Sequence, residues 1–168
     1  MSIFRGCPHR WKLQYKDKIK RFTSSIHTVF GTAIHAVIQH YLDYAYEKSF
    51  AAADRDIDME DHFQNSFISE YQSQYKKNNN EHLSSASEMR EFFDDGMGIL
   101  NWFKKKRSGY FSKKGYFLVG CEIPITLAPN KMLNNILYLG YLDIVMYHEA
   151  TDTFKIIDIK TSTRGWRD

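Results

Sequence analysis

The chain has 168 residues, of which 43% are hydrophobic and 26% are charged, and its formal net charge is +3. This length and composition indicate one globular domain and exclude a disordered or fibrous protein. There is no run of about 18 apolar residues, and the opening "MSIFRGCPHR" lacks the apolar core of a signal peptide. We therefore expect a cytoplasmic protein that does not enter membranes.

Charge is distributed unevenly along the chain. Residues 1–35 hold seven Lys or Arg against one acid, residues 36–103 hold five against thirteen, and residues 104–168 hold eleven against six. The densest basic run, "KKKRSGYFSKK", spans residues 104–114. Such a cluster suits a nucleic-acid backbone. The alternative interpretation is a solvated helix end, where cations interact favourably with the helix dipole.

The first two thirds of the chain have the apolar spacing of helices. The strongest pattern runs over residues 28–48, with apolar residues every three or four positions. Its apolar stripe consists of Phe30, Ile34, Ile38, Tyr41, Leu42 and Ala45. Further helices are predicted over residues 2–15, 60–76 and 87–107. The polar residues 78–87 predict a loop that ends in a capping box of Ser85 and Glu88.

The last third changes to the pattern of strands. β-Branched and aromatic residues dominate residues 116–126, 136–147 and 153–161. Pro124 indicates that the first of these strands lies at a sheet edge or ends there. Three consecutive strands with short connections predict an antiparallel meander, and the preceding helices must cover at least one face. The expected fold class is therefore α+β, or a mixed sheet with helices packed on it.

Each of the last two strands carries an aspartate among residues that favour burial. Side chains alternate faces along a strand, so the hairpin register decides whether Asp143 and Asp158 meet. If residues 149–152 form the loop, the numbers of paired residues sum to 301, and Asp143 lies opposite Asp158. Their Cβ atoms would then be about 4.5–5.5 Å apart.

Two like charges in this position need a physical reason, because carboxylates about 5 Å apart repel by roughly 3 kcal/mol at an effective dielectric near 20. A divalent cation between the two carboxylates would turn this repulsion into a net attraction, since hard cations such as Mg²⁺ prefer carboxylate oxygens. Apolar neighbours on the same faces predict a half-buried setting that supports a metal site. These neighbours are Tyr141, Val145 and Ile156. The alternative is a solvated Asp143 and a surface pair between Asp158 and Lys160.

Four short segments occur in a distinctive order. "CPHRWKLQY" spans residues 7–15 and "GTAIHAVIQHYL" spans residues 31–42. Near the C-terminus, Gly140-x-x-Asp143 is followed by Asp158-x-Lys160 and then Thr161-Ser162. This arrangement resembles the PD-(D/E)XK nuclease superfamily, and within it the RecB-type exonuclease branch, which includes the CRISPR adaptation nucleases.

The resemblance implies a restriction-endonuclease-like core of α/β type and a metal-dependent DNA exonuclease of repair, recombination or replication. It implies that His35, Asp143 and Asp158 bind Mg²⁺ or Mn²⁺, helped by the main-chain carbonyl of Ile159. Lys160 would orient or polarise the attacking water. The family often works beside a helicase or a recombination protein, so we expect such a partner in addition to single- or double-stranded DNA.

Basic residues near both ends are expected to bind the DNA backbone. They are Arg10, Lys12, Lys104, Lys105, Lys106, Arg107, Lys113 and Lys114. Aromatic residues among them, such as Trp11 and Tyr110, would stack on unpaired bases or belong to the core. Glu122 precedes the hairpin and is a candidate supporting acid, whereas His27 and His40 match no motif and are interpreted as structural.

Two functions of other classes are consistent with the same residues. One is a non-catalytic nucleic-acid-binding or assembly module with the same fold. The other is a metal-independent interaction protein that uses the acidic middle helices. Removal of metal discriminates these functions, because only a nuclease would lose an activity with EDTA while it still binds DNA.

The sequence departs from the RecB-type pattern at two places. That branch continues into a helix carrying Gln-x-x-x-Tyr, whereas only "TRGWRD" follows Ser162 here. The resemblance thus implies one domain over residues 1–168 that is a fragment or is truncated at its C-terminus. Some relatives hold an iron–sulfur cluster, which needs four thiolates. Since only Cys7 and Cys121 are present, we expect no iron–sulfur cluster, no zinc site and no disulfide framework, and we predict a buried Cys7.

Overall fold

The computed structural model describes residues 2–17, 19, 24–112, 114–127 and 138–161. The described chain begins with α1 (Ser2–Gly6), α2 (Pro8–Trp11) and a π-helical turn (Lys12–Lys16). It continues with α3 (Ile26–Glu47), α4 (Phe50–Asp56), α5 (Met59–Lys77) and α6 (Ala86–Tyr110). The strands are β1 (Tyr116–Leu127), β2 (Tyr138–His148) and β3 (Thr153–Ile157). The predicted α+β class, with helices followed by an antiparallel meander, is confirmed.

Helix α3 is the centre of the core. All six residues of its predicted apolar stripe are at most 5% exposed, and each large one contributes roughly 1.5–3 kcal/mol by leaving water. Phe30 contacts Phe63 and Phe67 of α5 edge-on, with ring centroids 6.2 and 6.5 Å apart. The hydrophobic spacing therefore identified the helix and also the face that it buries.

Helices α4, α5 and α6 begin at residues whose side chains cap them. Ser85 accepts a hydrogen bond from the Glu88 N–H, and the Glu88 carboxylate accepts one from Ser85 N–H, so the predicted capping box is confirmed. Asp58 caps α5 in a similar way. Helix α4 was not predicted, because seven residues are too few for a helical period to be recognised. Of the helices that the structure describes, none is long and apolar enough to cross a bilayer.

The sheet has the order β1-β2-β3, and both pairs are antiparallel. The β2–β3 pairs run from His148–Thr153 to Ile144–Ile157, so their numbers sum to 301 as predicted. Pro124 lies inside β1, which is an edge strand among the strands described. A parallel strand, which would make the sheet mixed, is not among the described residues. β3 ends four residues before the predicted position 161, so Asp158 lies just beyond the paired residues.

The two faces of the sheet differ in burial. Ile144 and Met146 are fully buried against the helices. On the opposite face Val145 is 5% exposed, whereas Tyr141 and Ile156 are 68% and 58% exposed. The expected half-buried setting is found for the Asp143 side chain, which is 15% exposed, and is wrong for Asp158, which is 52% exposed. Tyr141 and Ile156 do not provide it, because no described element covers them. The prediction of a buried Cys7 is also wrong, since this residue is exposed and its sulfur accepts a hydrogen bond from Arg10 N–H as the cap of α2.

Close packing of α5 on α6 generates a first prediction. A Cβ on Gly96 would lie 2.3 Å from Phe63 Cζ, whereas a Cβ on Gly98 would meet nothing within 4 Å. We expect Gly96→Ala to lower the free energy of unfolding by about 1–3 kcal/mol through overpacking. The matched control Gly98→Ala should raise it by up to about 1 kcal/mol through helix propensity. Urea titrations measure both, and an increase for both variants would contradict this packing.

Histidines at the α3–α5 contact generate a second prediction. The rings of His40 and His62 lie 4.8 Å apart. Burial lowers the pKa of His62, the neighbouring His40 lowers it further, and Asp61 opposes both. A depressed folded-state pKa means that the unfolded chain binds the proton more readily. Stability should therefore fall as the pH drops below about 6.5, the ordinary histidine pKa.

The variant His62→Gln should lose part of this pH dependence, because glutamine does not titrate. Urea midpoints of both proteins at about pH 7.5 and about pH 5.5, on either side of the ordinary histidine pKa, provide the measurement. An unchanged difference between the two midpoints in His62→Gln would show that other groups cause the acid sensitivity.

Candidate active site

Three elements meet at the end of the β2–β3 hairpin. His35 of α3 places its Nε2 3.0 Å from the carbonyl oxygen of Ile159, and its Nδ1 3.8 Å from Asp143 Oδ2. The Ile159 N–H donates to the same Asp143 oxygen at 2.7 Å. The side chains of His35 and Asp143 are only 22% and 15% exposed. The structure thus brings together three of the four predicted metal ligands.

The hydrogen bonds around His35 determine which of its nitrogens faces the carboxylate. A carbonyl oxygen only accepts, so the hydrogen of this contact is carried by His35 Nε2. In a neutral imidazole the lone pair is then on Nδ1, the nitrogen that faces Asp143. His35 therefore presents a metal-binding atom toward a carboxylate while its other nitrogen orients the ring.

One side of α3 faces both β2 and the chain segment that follows β3. Gly31, His35 and Gln39 are spaced by four residues and so lie along one face. A Cβ on Gly31 would lie 3.2 Å from Thr161 Oγ1, and the Gln39 amide donates to the Asp143 carbonyl at 3.5 Å. Gln39 was not identified from the sequence, although its spacing from His35 is a signal that helical periodicity offers.

Asp158 and Lys160 form a separate pair beside this group. Lys160 Nζ lies 2.8 and 2.6 Å from the two Asp158 oxygens, and the side chains are 54% and 52% exposed. Within the described ranges, no group of three or more His, Cys, Asp or Glu side chains is close enough to share one ion. In the structure the fourth predicted ligand, Asp158, therefore forms an ion pair with Lys160 and does not join the other three. An exposed pair of this kind contributes only about 0–1 kcal/mol.

The donor atoms at the hairpin end suit a hard divalent cation. A carboxylate and a main-chain carbonyl are ligands that Mg²⁺ and Mn²⁺ prefer, whereas an imidazole nitrogen is a more typical ligand of later transition metals. The described residues make no hydrogen bond to the second oxygen of Asp143, Oδ1, so it remains available as a ligand. Glu122 lies on β1 between the partners of Ile144 and Leu142, and it is an exposed residue with a positive φ of 50°. The types of donor atom thus suit a metal ion, but the described residues do not bring three acidic, His or Cys side chains together around one.

The predicted DNA-binding residues differ in their surroundings. Arg107 points inward, pairs with Asp54 of α4 and lies over the ring of Tyr41, 5.6 Å from its centroid. Lys12 pairs with Asp17 at 3.4 Å, and Lys104 is partly buried. The exposed members of the set are Arg10, Lys12, Lys105, Lys106 and Lys114. Lys113 lies outside the described residues.

Comparison with known proteins yields one match. A family model described as the PD-(D/E)XK nuclease superfamily matches residues 1–167. No curated protein and no solved structure matches the chain. The matched range includes every residue of the candidate site and extends over nearly the whole sequence.

The hydrogen bond between Ile159 and Asp143 generates a third prediction. Asp143→Ala removes the acceptor of a partly buried N–H and should lower the free energy of unfolding by about 1–3 kcal/mol. Asp143→Asn keeps an acceptor oxygen and should lower it less. Asp158→Ala is the control, because loss of an exposed pair should change stability by no more than about 1 kcal/mol.

Urea unfolding measures these differences, and hydrogen exchange at the Ile159 amide locates them. Faster exchange at Ile159 in Asp143→Ala, with slow exchange in Asp158→Ala, is the expected pattern. Equal protection of this amide in all variants would show that another group holds the segment.

Proposed function

The chain belongs to the PD-(D/E)XK nuclease superfamily, and we propose that it is a metal-dependent DNA exonuclease that hydrolyses phosphodiester bonds. The observation that carries the proposal is the meeting of His35, Asp143 and the Ile159 carbonyl at the hairpin end, next to Asp158 and Lys160. The proposed nuclease domain spans residues 1–168. Its expected setting is DNA repair, recombination or replication in the cytoplasm, beside a helicase or recombination protein.

We assign the metal site to His35, the Asp143 carboxylate, the Asp158 carboxylate and the Ile159 carbonyl. Because His35 Nε2 lies 3.0 Å from that carbonyl oxygen, the oxygen and Nδ1 are on opposite sides of the ring, so both bind one ion only after this hydrogen bond breaks. A bound Mg²⁺ or Mn²⁺ lowers the pKa of a coordinated water and neutralises charge on a phosphate. The protein keeps the Asp143 carboxylate in position through the hydrogen bond that it accepts from the Ile159 N–H. Because the side chains of His35 and Asp143 are mostly buried, their positions depend on the core and not on solvent-exposed rotamers.

The side chains of Asp158 and Lys160 are both exposed to solvent, so they can leave their mutual ion pair and contact other groups. Their mutual ion pair is weak, so Asp158 can exchange Lys160 for another positive charge at little cost. Lys160 is then available to place its ammonium group where negative charge develops on the phosphate, or to orient the attacking water. According to this proposal, the Asp158–Lys160 pair is the arrangement that two catalytic side chains adopt before metal and substrate bind.

A non-catalytic nucleic-acid-binding module is the second candidate. The observation that favours it is the absence, among the described residues, of any cluster of three acidic, His or Cys side chains that could bind one ion. In such a module the Asp158–Lys160 pair would be a permanent surface feature, and the exposed lysines would bind phosphates without cleavage.

Cleavage of end-labelled single- and double-stranded DNA tests the proposal. Activity should require Mg²⁺ or Mn²⁺ and disappear with EDTA, while DNA binding should persist and weaken steeply with salt. Asp143→Asn, Asp158→Asn and Lys160→Met should each reduce cleavage by at least about 100-fold. The control Arg55→Met removes a charge from an exposed ion pair on α4 and should leave cleavage unchanged.

Calorimetric titration of Mn²⁺ into the same variants separates the two candidate functions. A nuclease should bind Mn²⁺, and Asp143→Asn should abolish that binding. A folded protein that binds DNA, binds no Mn²⁺ and cleaves nothing is the non-catalytic module, and the enzymatic proposal would then be rejected.

A further inference from the structure

Helix α6 presents an exposed indole beside the Asp158–Lys160 pair. A cleft of about 270 Å³ lies between α6 and residues 157–161. Trp102 and Tyr110 line it and are 52% and 50% exposed, with ring centroids 6.0 Å apart. The cleft wall also includes Ile99, Phe103, Phe111, Ile144 and Ile157. Two large aromatic side chains thus border an apolar recess at the candidate active site.

Trp102 also borders a second cleft on its other side. This wider opening, of about 590 Å³, is lined by Asp94, Asp95 and Gly98 as well as Trp102. Both clefts include Lys160 and Thr161. Trp102 therefore separates two clefts that both extend to Lys160, the candidate catalytic lysine. Single exposed aromatic residues are common on protein surfaces, but two of them around a recess indicate a ligand site.

The charges along α6 indicate which ligand the recess would take. The exposed Lys105 and Lys106 follow Trp102 by three and four residues, so they lie beside it on the helix surface. Asp94 and Asp95, which line the other cleft, lie two turns earlier. An anionic chain is therefore attracted toward the C-terminal half of α6 and repelled from the part that carries the two aspartates. The ligand must combine negative charges with a flat apolar ring.

We propose that Trp102 and Tyr110 stack on an unpaired base of the nucleic-acid strand whose phosphate lies at Lys160, and that Lys105 and Lys106 bind the neighbouring phosphates. The 270 Å³ recess is smaller than the roughly 300–1,000 Å³ of drug-sized ligand pockets, so it suits one base. A base stacked in a duplex cannot contact these rings unless it leaves its stack. The preferred substrate is therefore a single strand or a frayed end. This inference rests on the proposed function, since it places the base beside the cleaved bond.

The test measures binding in EDTA, so that no cleavage occurs. Trp11→Phe and Trp166→Phe together leave Trp102 as the single tryptophan. Three probes of equal length are compared: a thymidine single strand, the same strand with abasic residues, and a blunt duplex. The single strand should quench the emission of Trp102 to saturation, whereas the abasic strand and the duplex should quench it far less.

Substitutions of Trp102 in the otherwise natural chain separate stacking from charge. Trp102→Leu should weaken binding of the single strand by about 5- to 160-fold, which corresponds to the roughly 1–3 kcal/mol of one stacked base. Trp102→Phe should recover part of this loss, because a smaller ring still stacks. The control Phe154→Ala removes an aromatic residue that is 65% exposed on β3 and lines neither cleft, and it should bind as the natural chain does.

Lys105→Ala should weaken binding of the abasic strand and of the normal strand by the same factor. It should also reduce the salt dependence of both binding constants. Equal affinity of the natural chain for the abasic and normal strands would overturn the inference. Trp102 emission that is blue-shifted in the free protein and unchanged by every strand would also overturn the inference. Trp102 would then be shielded from water by the chain itself, and the recess would be filled. If cleavage is metal-dependent but Trp102→Leu binds the single strand as the natural chain does, the stacking proposal is rejected and the nuclease proposal stands. If binding depends on Trp102 but no cleavage occurs, the stacking proposal is supported and the nuclease proposal is rejected.

Discussion

The hydrogen bond from the Ile159 N–H to the Asp143 carboxylate is the contact on which the candidate site depends. The β2–β3 pairs end at Ile144–Ile157, and two residues later a side-chain oxygen takes over as the acceptor of a main-chain donor at 2.7 Å. This contact holds the segment after β3 against β2. Since the Ile159 carbonyl in turn accepts a hydrogen bond from His35, a single carboxylate connects β2, the segment after β3 and α3.

Helix α3 connects this site to the hydrophobic core. Its buried stripe packs against α5 and the sheet, while on another face Gly31 and His35 lie against the segment after β3 and Gln39 contacts β2. The same helix is tied to α4 and α6, because the buried Tyr41 donates to Asp54, which also pairs with Arg107. Burial raises the pKa of Tyr41, and its hydrogen bond to Asp54 raises it further, so this phenol stays a neutral donor. A perturbation of the core would therefore displace His35.

Several acids of the acidic middle segment have structural roles. Asp58 and Glu88 satisfy main-chain donors at the first turns of α5 and α6, and Asp54 neutralises Arg107. These contacts reduce the acidic surface that an interaction protein would offer to a partner. In contrast, Lys105 and Lys106 remain exposed on the helix that carries Trp102. Asp54, Asp58 and Glu88 thus stabilise the fold, whereas Asp94, Asp95, Lys105 and Lys106 remain exposed on α6.

The sequence alone determined the helical stripe of α3, the capping box of α6 and the hairpin register that pairs Ile144 with Ile157, because each follows from local periodicity or turn length. It also determined the superfamily, since motif residues occur in order along the chain. Only the tertiary structure decided that β3 stops before Asp158 and that Arg107 points inward to Asp54. It also showed which nitrogen of His35 faces Asp143, and that Trp102 borders a recess beside Lys160. These features depend on contacts between residues distant in sequence, such as His35 and Ile159, for which no local pattern exists.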